Sequence, residues 1–76
     1  MFNALELKKL MQAQPFQPFR VRMSDGKSYE IPNHEVAFVT RNYLEVATDL
    51  DRNKIPGTAT RCAILQITQI EDLQAA

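Results

Sequence analysis

Three residues in this chain have side chains that could do covalent or acid–base chemistry together. His34 is followed by Glu35, and Cys62 is the single thiol. A histidine beside a thiol can take its proton and activate it for attack, given a third group to orient the pair and a pocket for substrate. The sequence marks neither the third group nor the pocket. His34 therefore reads as a turn residue and Cys62 as a small buried hydrophobe, the usual state of a free cysteine. Asp49, Asp51 and Asn53 alternate as the first ligands of a calcium loop do, but the glycine and terminal glutamate of such a loop are missing. They read as solvated loop residues. One cysteine and one histidine make no metal-ligand set. The two glycines, Gly26 and Gly57, are too far apart for a phosphate-cradling loop. No cofactor and no catalytic set is expected, and the chain does not read as an enzyme on its own.

Binding surfaces leave weaker traces. Arg20, Arg22 and Lys27 form the densest basic cluster, to which Arg41 can be added. Such cations contact phosphates, and Tyr43 or Phe38 would offer a stacking surface for a base. However, Lys plus Arg equals Asp plus Glu at nine each, so the chain lacks the basic excess of a dedicated nucleic-acid binder. A solvated sheet face, with Arg20 balanced by Glu30 across the strand pair, is the better reading. The candidate residues for a protein interface are Phe38, Tyr43 and Ile64. Phe38 matters most, because an aromatic left on the polar side of a strand marks a contact surface. Phe16 and Phe19 read instead as packing between the helix and the sheet.

These residues need elements to hold them. Asn3 is a good helix N-cap and Glu6 stands at the capping-box position three residues on. Phe2 and Leu7 have the hydrophobic-staple spacing, and Leu7, Leu10 and Met11 share one face. The helix is expected over about 3–13, stopped by Pro15. Pro15-Phe16-Gln17-Pro18-Phe19 is then a stiff connector.

Phe19, Val21 and Met23 alternate with Arg20, Arg22 and Ser24, and Tyr29 and Ile31 alternate with Ser28 and Glu30. This is a β-hairpin pattern. A two-residue Asp25-Gly26 loop would put the apolar residues of the two strands on opposite faces. A three-residue loop, Ser24-Asp25-Gly26, puts all five on one face, pairing Val21 with Tyr29 and Phe19 with Ile31. That is a type I turn with a bulge and Gly26 left-handed. Pro32-Asn33-His34-Glu35 breaks the strand. A second hairpin across Thr40-Arg41-Asn42 places Val39 opposite Leu44 and Ala37 opposite Val46, with Phe38 beside Glu45 on the other face. Residues 49–61 are polar and contain Pro56-Gly57, so they read as a mobile loop or as two frayed strand ends. Cys62 to Ile67 is an aliphatic run, Ile70 and Leu73 continue into a last strand, and Gln74-Ala75-Ala76 reads as a frayed tail. The last strand is expected to leave an open edge, while Lys54 and Pro56 would protect another.

The chain has 76 residues, enough for one domain that buries roughly 60% of its unfolded surface. Apolar residues make up 45% and charged residues 24%, which is ordinary for a globular protein. A neutral protein also associates with itself more readily than a charged one. No apolar run approaches the ~20 residues of a membrane span, and the stretch from Met1 to Met11 has helical charges, not a signal-peptide core. The cytoplasm is the expected compartment.

A short helix ahead of about five antiparallel strands resembles the Sm-like and SH3-like small barrels. In Sm-like proteins an Asp-Gly or Asn-Gly bulge turn joins the first two strands, where Asp25-Gly26 stands here. The resemblance implies a mainly β fold with one N-terminal helix and a five-stranded antiparallel barrel over about 18–73. Ile64-Leu65-Gln66-Ile67 stands where bacterial RNA-binding relatives carry a basic signature. Over its first half the chain is also similar to a group of small uncharacterised bacterial proteins. The shared pattern is Pro15-Phe16-x-Pro18-Phe19, Ser24-Asp25-Gly26 and Pro32-Asn33-His34-Glu35, and it brings no settled activity. The expectation from all this is a non-enzymatic interaction module that forms a homo-oligomer or binds a protein partner. RNA binding of the Sm-like type is the alternative.

Overall fold

A computed structural model describes residues 2–73. It has one helix, α1 (Ala4–Gln12), and six strands: β1 (Phe19–Met23), β2 (Ser28–Ile31), β3 (Ala37–Val39), β4 (Tyr43–Leu50), β5 (Pro56–Ala63) and β6 (Ile67–Asp72). A 3-10 turn, Ile64–Gln66, separates β5 from β6. The tail at 74–76 lies outside the described residues.

The helix begins as its sequence dictates. The Asn3 side chain accepts a hydrogen bond from the Glu6 N–H at 2.9 Å, which satisfies one of the free amides of the first turn. Leu7 is fully buried, with Leu10, Met11 and Phe2 packed around the core beside it. Phe16 leans on Phe19 with ring centroids 6.0 Å apart, so the connector is anchored to the core as expected.

The first hairpin has the anticipated register: Phe19 opposite Ile31, Arg20 opposite Glu30, Val21 opposite Tyr29 and Arg22 opposite Ser28. Gly26 has φ of 90°, the left-handed position that its bulge requires. The Met23 carbonyl accepts from the Gly26 N–H at 3.0 Å and the Met23 N–H donates to the Lys27 carbonyl at 2.8 Å, which closes the three-residue loop. The second hairpin also has the anticipated register, Ala37 opposite Val46 and Val39 opposite Leu44.

The barrel is where the sequence expectation fails. There are six strands, not five, and they form two three-stranded sheets, β2-β1-β6 and β3-β4-β5, neither closed into a barrel. The split has two causes. Pro32 removes a ladder donor directly after β2. The 3-10 turn at Ile64–Gln66 then ends β5 in one sheet and starts β6 in the other. The segment 49–61, read as a mobile loop or frayed strand ends, is mostly paired. Leu50 opposes Pro56, and the ladder runs on through Thr48–Thr58, Ala47–Ala59, Val46–Thr60 and Glu45–Arg61. Only 51–55 form the loop. Asp51 organises it, its carboxylate accepting from the Asn53 and Ile55 N–H groups at 2.8 and 2.9 Å.

The core joins both sheets and the helix through Leu7, Phe19, Val21, Ile31, Leu44, Val46, Cys62, Ile64 and Ile67, with Val36 and Ala37 at its rim. No buried polar side-chain atom among the described residues lacks a partner.

Candidate protein interface

The four candidate nucleic-acid cations do not form one free cluster. Arg20 donates to Glu30 at 2.6 Å and approaches Glu71 at 3.7 Å, while Arg22 donates to Glu71 at 2.6 Å. Glu71 reaches them because β6 pairs with β1 on the edge opposite β2, placing Arg20 beside Glu71. These pairs keep both guanidinium groups occupied on a neutral sheet face. Among the described residues Lys27 and Arg41 enter no ion pair. Lys27 closes the β1–β2 loop, its N–H held by the Asp25 carboxylate at 2.9 Å. Arg41 sits in the β3–β4 turn.

The acid–base candidates are also in structural roles. His34 is exposed in a turn where the Asn33 side chain accepts from the Glu35 N–H at 2.9 Å. Its ring lies 6.3 Å from that of Phe16. Cys62 is 1% exposed, opposite Leu44 inside the β4–β5 hairpin. Burial pushes its thiol up from the ordinary value, and the charges of Glu45 and Asp25 add to the effect. The nucleophilic thiolate is therefore disfavoured at neutral pH. No group of three metal-ligating side chains occurs among the described residues. The Asp51 carboxylate, suggested by the calcium-like spacing, is already committed to backbone amides.

The interface candidates fall on two adjoining surfaces. One is the outer face of the β3-β4-β5 sheet. Alternation along β4 sends Leu44 and Val46 inward, so Tyr43 and Glu45 face out. Across the strands Phe38, Glu45 and Arg61 form one row. Phe38 is 63% exposed. Arg61 donates to Glu45 at 2.7 Å, and its guanidinium carbon lies 4.9 Å from the centroid of the Tyr43 ring. The side chain is thus held by an ion pair and a cation–π contact at once. Arg61 was missed in the sequence because it lies in the segment read as a loop.

The second surface is a cleft of ≈ 440 Å³ where the start of α1 meets the β3–β4 turn and the 3-10 turn. Tyr43 and Arg41 line it with Ile64, Leu65 and Phe2. The Ile64 N–H donates to the Asn42 carbonyl at 2.9 Å and the Ser24 N–H donates to the Gln66 carbonyl at 2.8 Å. The 3-10 turn is therefore pinned between the two hairpin turns. This displays Leu65, 73% exposed, while Ile64 turns into the core at 4%. Of the candidates, Tyr43 belongs to both surfaces, Ile64 forms the floor of the cleft, and Phe38 stands on the sheet face.

No protein family, curated protein or solved structure matches the chain in comparisons with each. No helix among the described residues is long and apolar enough to cross a membrane.

Proposed function

We propose that this protein is a non-enzymatic interaction module that assembles with further copies of itself in the cytoplasm. One observation carries the reading. Two three-stranded sheets that do not close leave strands β2, β6, β3 and β5 with one unpaired side each among the described residues. Unpaired strand edges present free N–H and C=O groups, the template for pairing with another chain. The neutral charge balance puts no long-range repulsion in the way of association. The pairing of Arg20 and Arg22 with Glu30 and Glu71 weighs against phosphate contact by the cations best placed for it.

Size-exclusion chromatography with light scattering, recorded at two ultraviolet wavelengths on protein not treated with nuclease, tests the proposal. The chain has no Trp and two Tyr, so bound nucleic acid would dominate the absorbance. A nucleic-acid-free species heavier than one chain is expected. A monomer at every concentration overturns self-association, and a peak carrying nucleic acid moves the RNA reading to first place.

A further inference from the structure

The four strand edges are not equally open. β2 has four residues and is bounded by Lys27 and Pro32. β3 has three residues. β6 ends on Asp72, a charge that enters no ion pair among the described residues. Shortness, charge and proline are the usual means of blocking an edge. β5 is eight residues long, and Pro56-Gly57-Thr58-Ala59-Thr60 contains no charge. Its one cation, Arg61, is already paired with Glu45. Beyond Lys54 and Pro56 at its start, the strand has none of these protections.

The ladder phase shows which amides the β5 edge offers. In β3–β4 the Thr40 N–H donates to the Tyr43 carbonyl and the Ala47 N–H to the Val36 carbonyl. Odd-numbered β4 residues therefore bond toward β3, and Leu44, Val46 and Thr48 bond toward β5. The Ile64 N–H to Asn42 carbonyl bond extends the same phase. On β5 the partners of those residues are Cys62, Thr60 and Thr58. Ala59, Arg61 and Ala63 consequently point their N–H and C=O groups away from β4, to the free side.

We propose that β5 pairs antiparallel with β5 of a second copy about a two-fold axis at Thr60, which makes one six-stranded sheet from two β3-β4-β5 sheets. This rests on the self-association reading. The register is chosen by the residues. Centred on Thr60, it sets Thr60 against Thr60, Ala59 against Arg61 and Thr58 against Cys62 of the other copy. The outward amides then meet each other in hydrogen-bonded pairs, and Thr opposes Thr, a favourable cross-strand pair. Centred on Arg61, it would set two like charges directly opposite, which destabilises. An edge contact of this kind is smaller than the ~1,200 Å² of tight complexes, so the dimer is a weak one that grows in with concentration.

Amide hydrogen exchange measured beside light scattering tests the pairing, with Ala59→Pro as the variant. Proline at 59 removes an outward N–H and leaves the bonds to β4 in place. In concentrated wild-type protein the Ala59 and Arg61 amides exchange slowly, and they speed up on dilution as the mass falls to one chain. Ala59→Pro remains folded and monomeric. An oligomer whose Ala59 and Arg61 amides exchange freely, or one that persists in Ala59→Pro, overturns the β5 pairing and leaves self-association standing. A wild-type monomer at every concentration removes both. If Ala59→Pro does not fold, exchange in the wild-type protein decides alone.

Discussion

Gly57 lies against Asp49 so closely that a Cβ added to it would meet the Asp49 carboxylate oxygen at 2.8 Å and the Asp49 carbonyl oxygen at 3.2 Å. Asp49 itself has a left-handed backbone, φ 58°. The two residues face each other where the β4–β5 ladder passes from Thr48–Thr58 to Leu50–Pro56. The contact explains why glycine follows proline at the start of β5. Gly57→Ala is expected to destabilise the protein by about 1–3 kcal/mol, the usual cost of forcing a methyl into a filled space. Adding Asp49→Gly removes the carboxylate and suits the left-handed backbone, so the double variant recovers part of the loss, the carbonyl contact remaining. Urea unfolding midpoints of the two variants decide this. An unchanged midpoint in Gly57→Ala would refute the contact.

The loop between β4 and β5 depends on one side chain. Asp51 accepts from two backbone amides, and its own N–H donates to the Ile55 carbonyl at 3.1 Å. Asp51→Ala should cost about 0.5–1.5 kcal/mol, because the exposed loop amides then turn to water. Asp51→Asn keeps an acceptor oxygen and should cost less. Thermal melts of both variants, with and without calcium, check the account. A calcium-dependent rise in melting temperature would restore the metal reading.

Cys62 gives a pH dependence whose sign is fixed. Burial first, then the charges of Glu45 and Asp25, raise its folded pKa above the ordinary 9.0. The folded state thus favours the neutral thiol. Its stabilising contribution is fully present below pH 9.0 and is lost as the pH rises through the higher folded value. Stability of the wild-type protein should therefore fall above pH 9.0 more than that of Cys62→Ala. At neutral pH an alkylating reagent should label Cys62 only in denaturant. Rapid labelling of folded protein would show an activated thiol and reopen the catalytic reading.

Phe38 and Leu44 lie on opposite faces of the same small sheet. Phe38 is 63% exposed and Leu44 is fully buried. Phe38→Ser should change stability by less than ~0.5 kcal/mol, whereas Leu44→Ala should cost about 2–5 kcal/mol. Because Phe38 is on β3, at the far side of the sheet from β5, its loss should leave the dimer intact. Dissociation of the dimer in folded Phe38→Ser would place the contact on the sheet face instead.

The local structure was legible where apolar residues alternate. Phe19, Val21, Tyr29 and Ile31 can share a buried face in one register, and that register alone decided the loop at Ser24-Asp25-Gly26. Asn3 and Glu6 marked the helix start in the same local way. The sequence misled where both faces of a strand are wet. Thr58, Ala59 and Arg61 are exposed on β5, so no alternation distinguishes that strand from a polar loop. The aliphatic run from Cys62 to Ile67 hid the opposite error. Cys62, Ile64 and Ile67 are all buried, but the 3-10 turn between them carries the chain from one sheet to the other without a glycine or proline to mark it. The partners of the candidate site were hidden for a third reason. Glu71 lies 49 residues from Arg22, and only the pairing of β6 with β1 brings them together. The basic cluster seemed freer in the sequence than it is in the fold.

Thr60→Cys is the variant that reads the β5–β5 pairing covalently. In a β5–β5 pair centred on Thr60, the two introduced thiols face each other at a non-hydrogen-bonded position, where Cα atoms stand ~4.5 Å apart. That lies at the short end of disulfide reach. Under mild oxidation a covalent dimer is expected on a non-reducing gel, at a rate that rises with protein concentration, with native Cys62 left as a thiol. A Thr60→Cys protein that assembles by light scattering yet forms no covalent dimer would contradict pairing at β5.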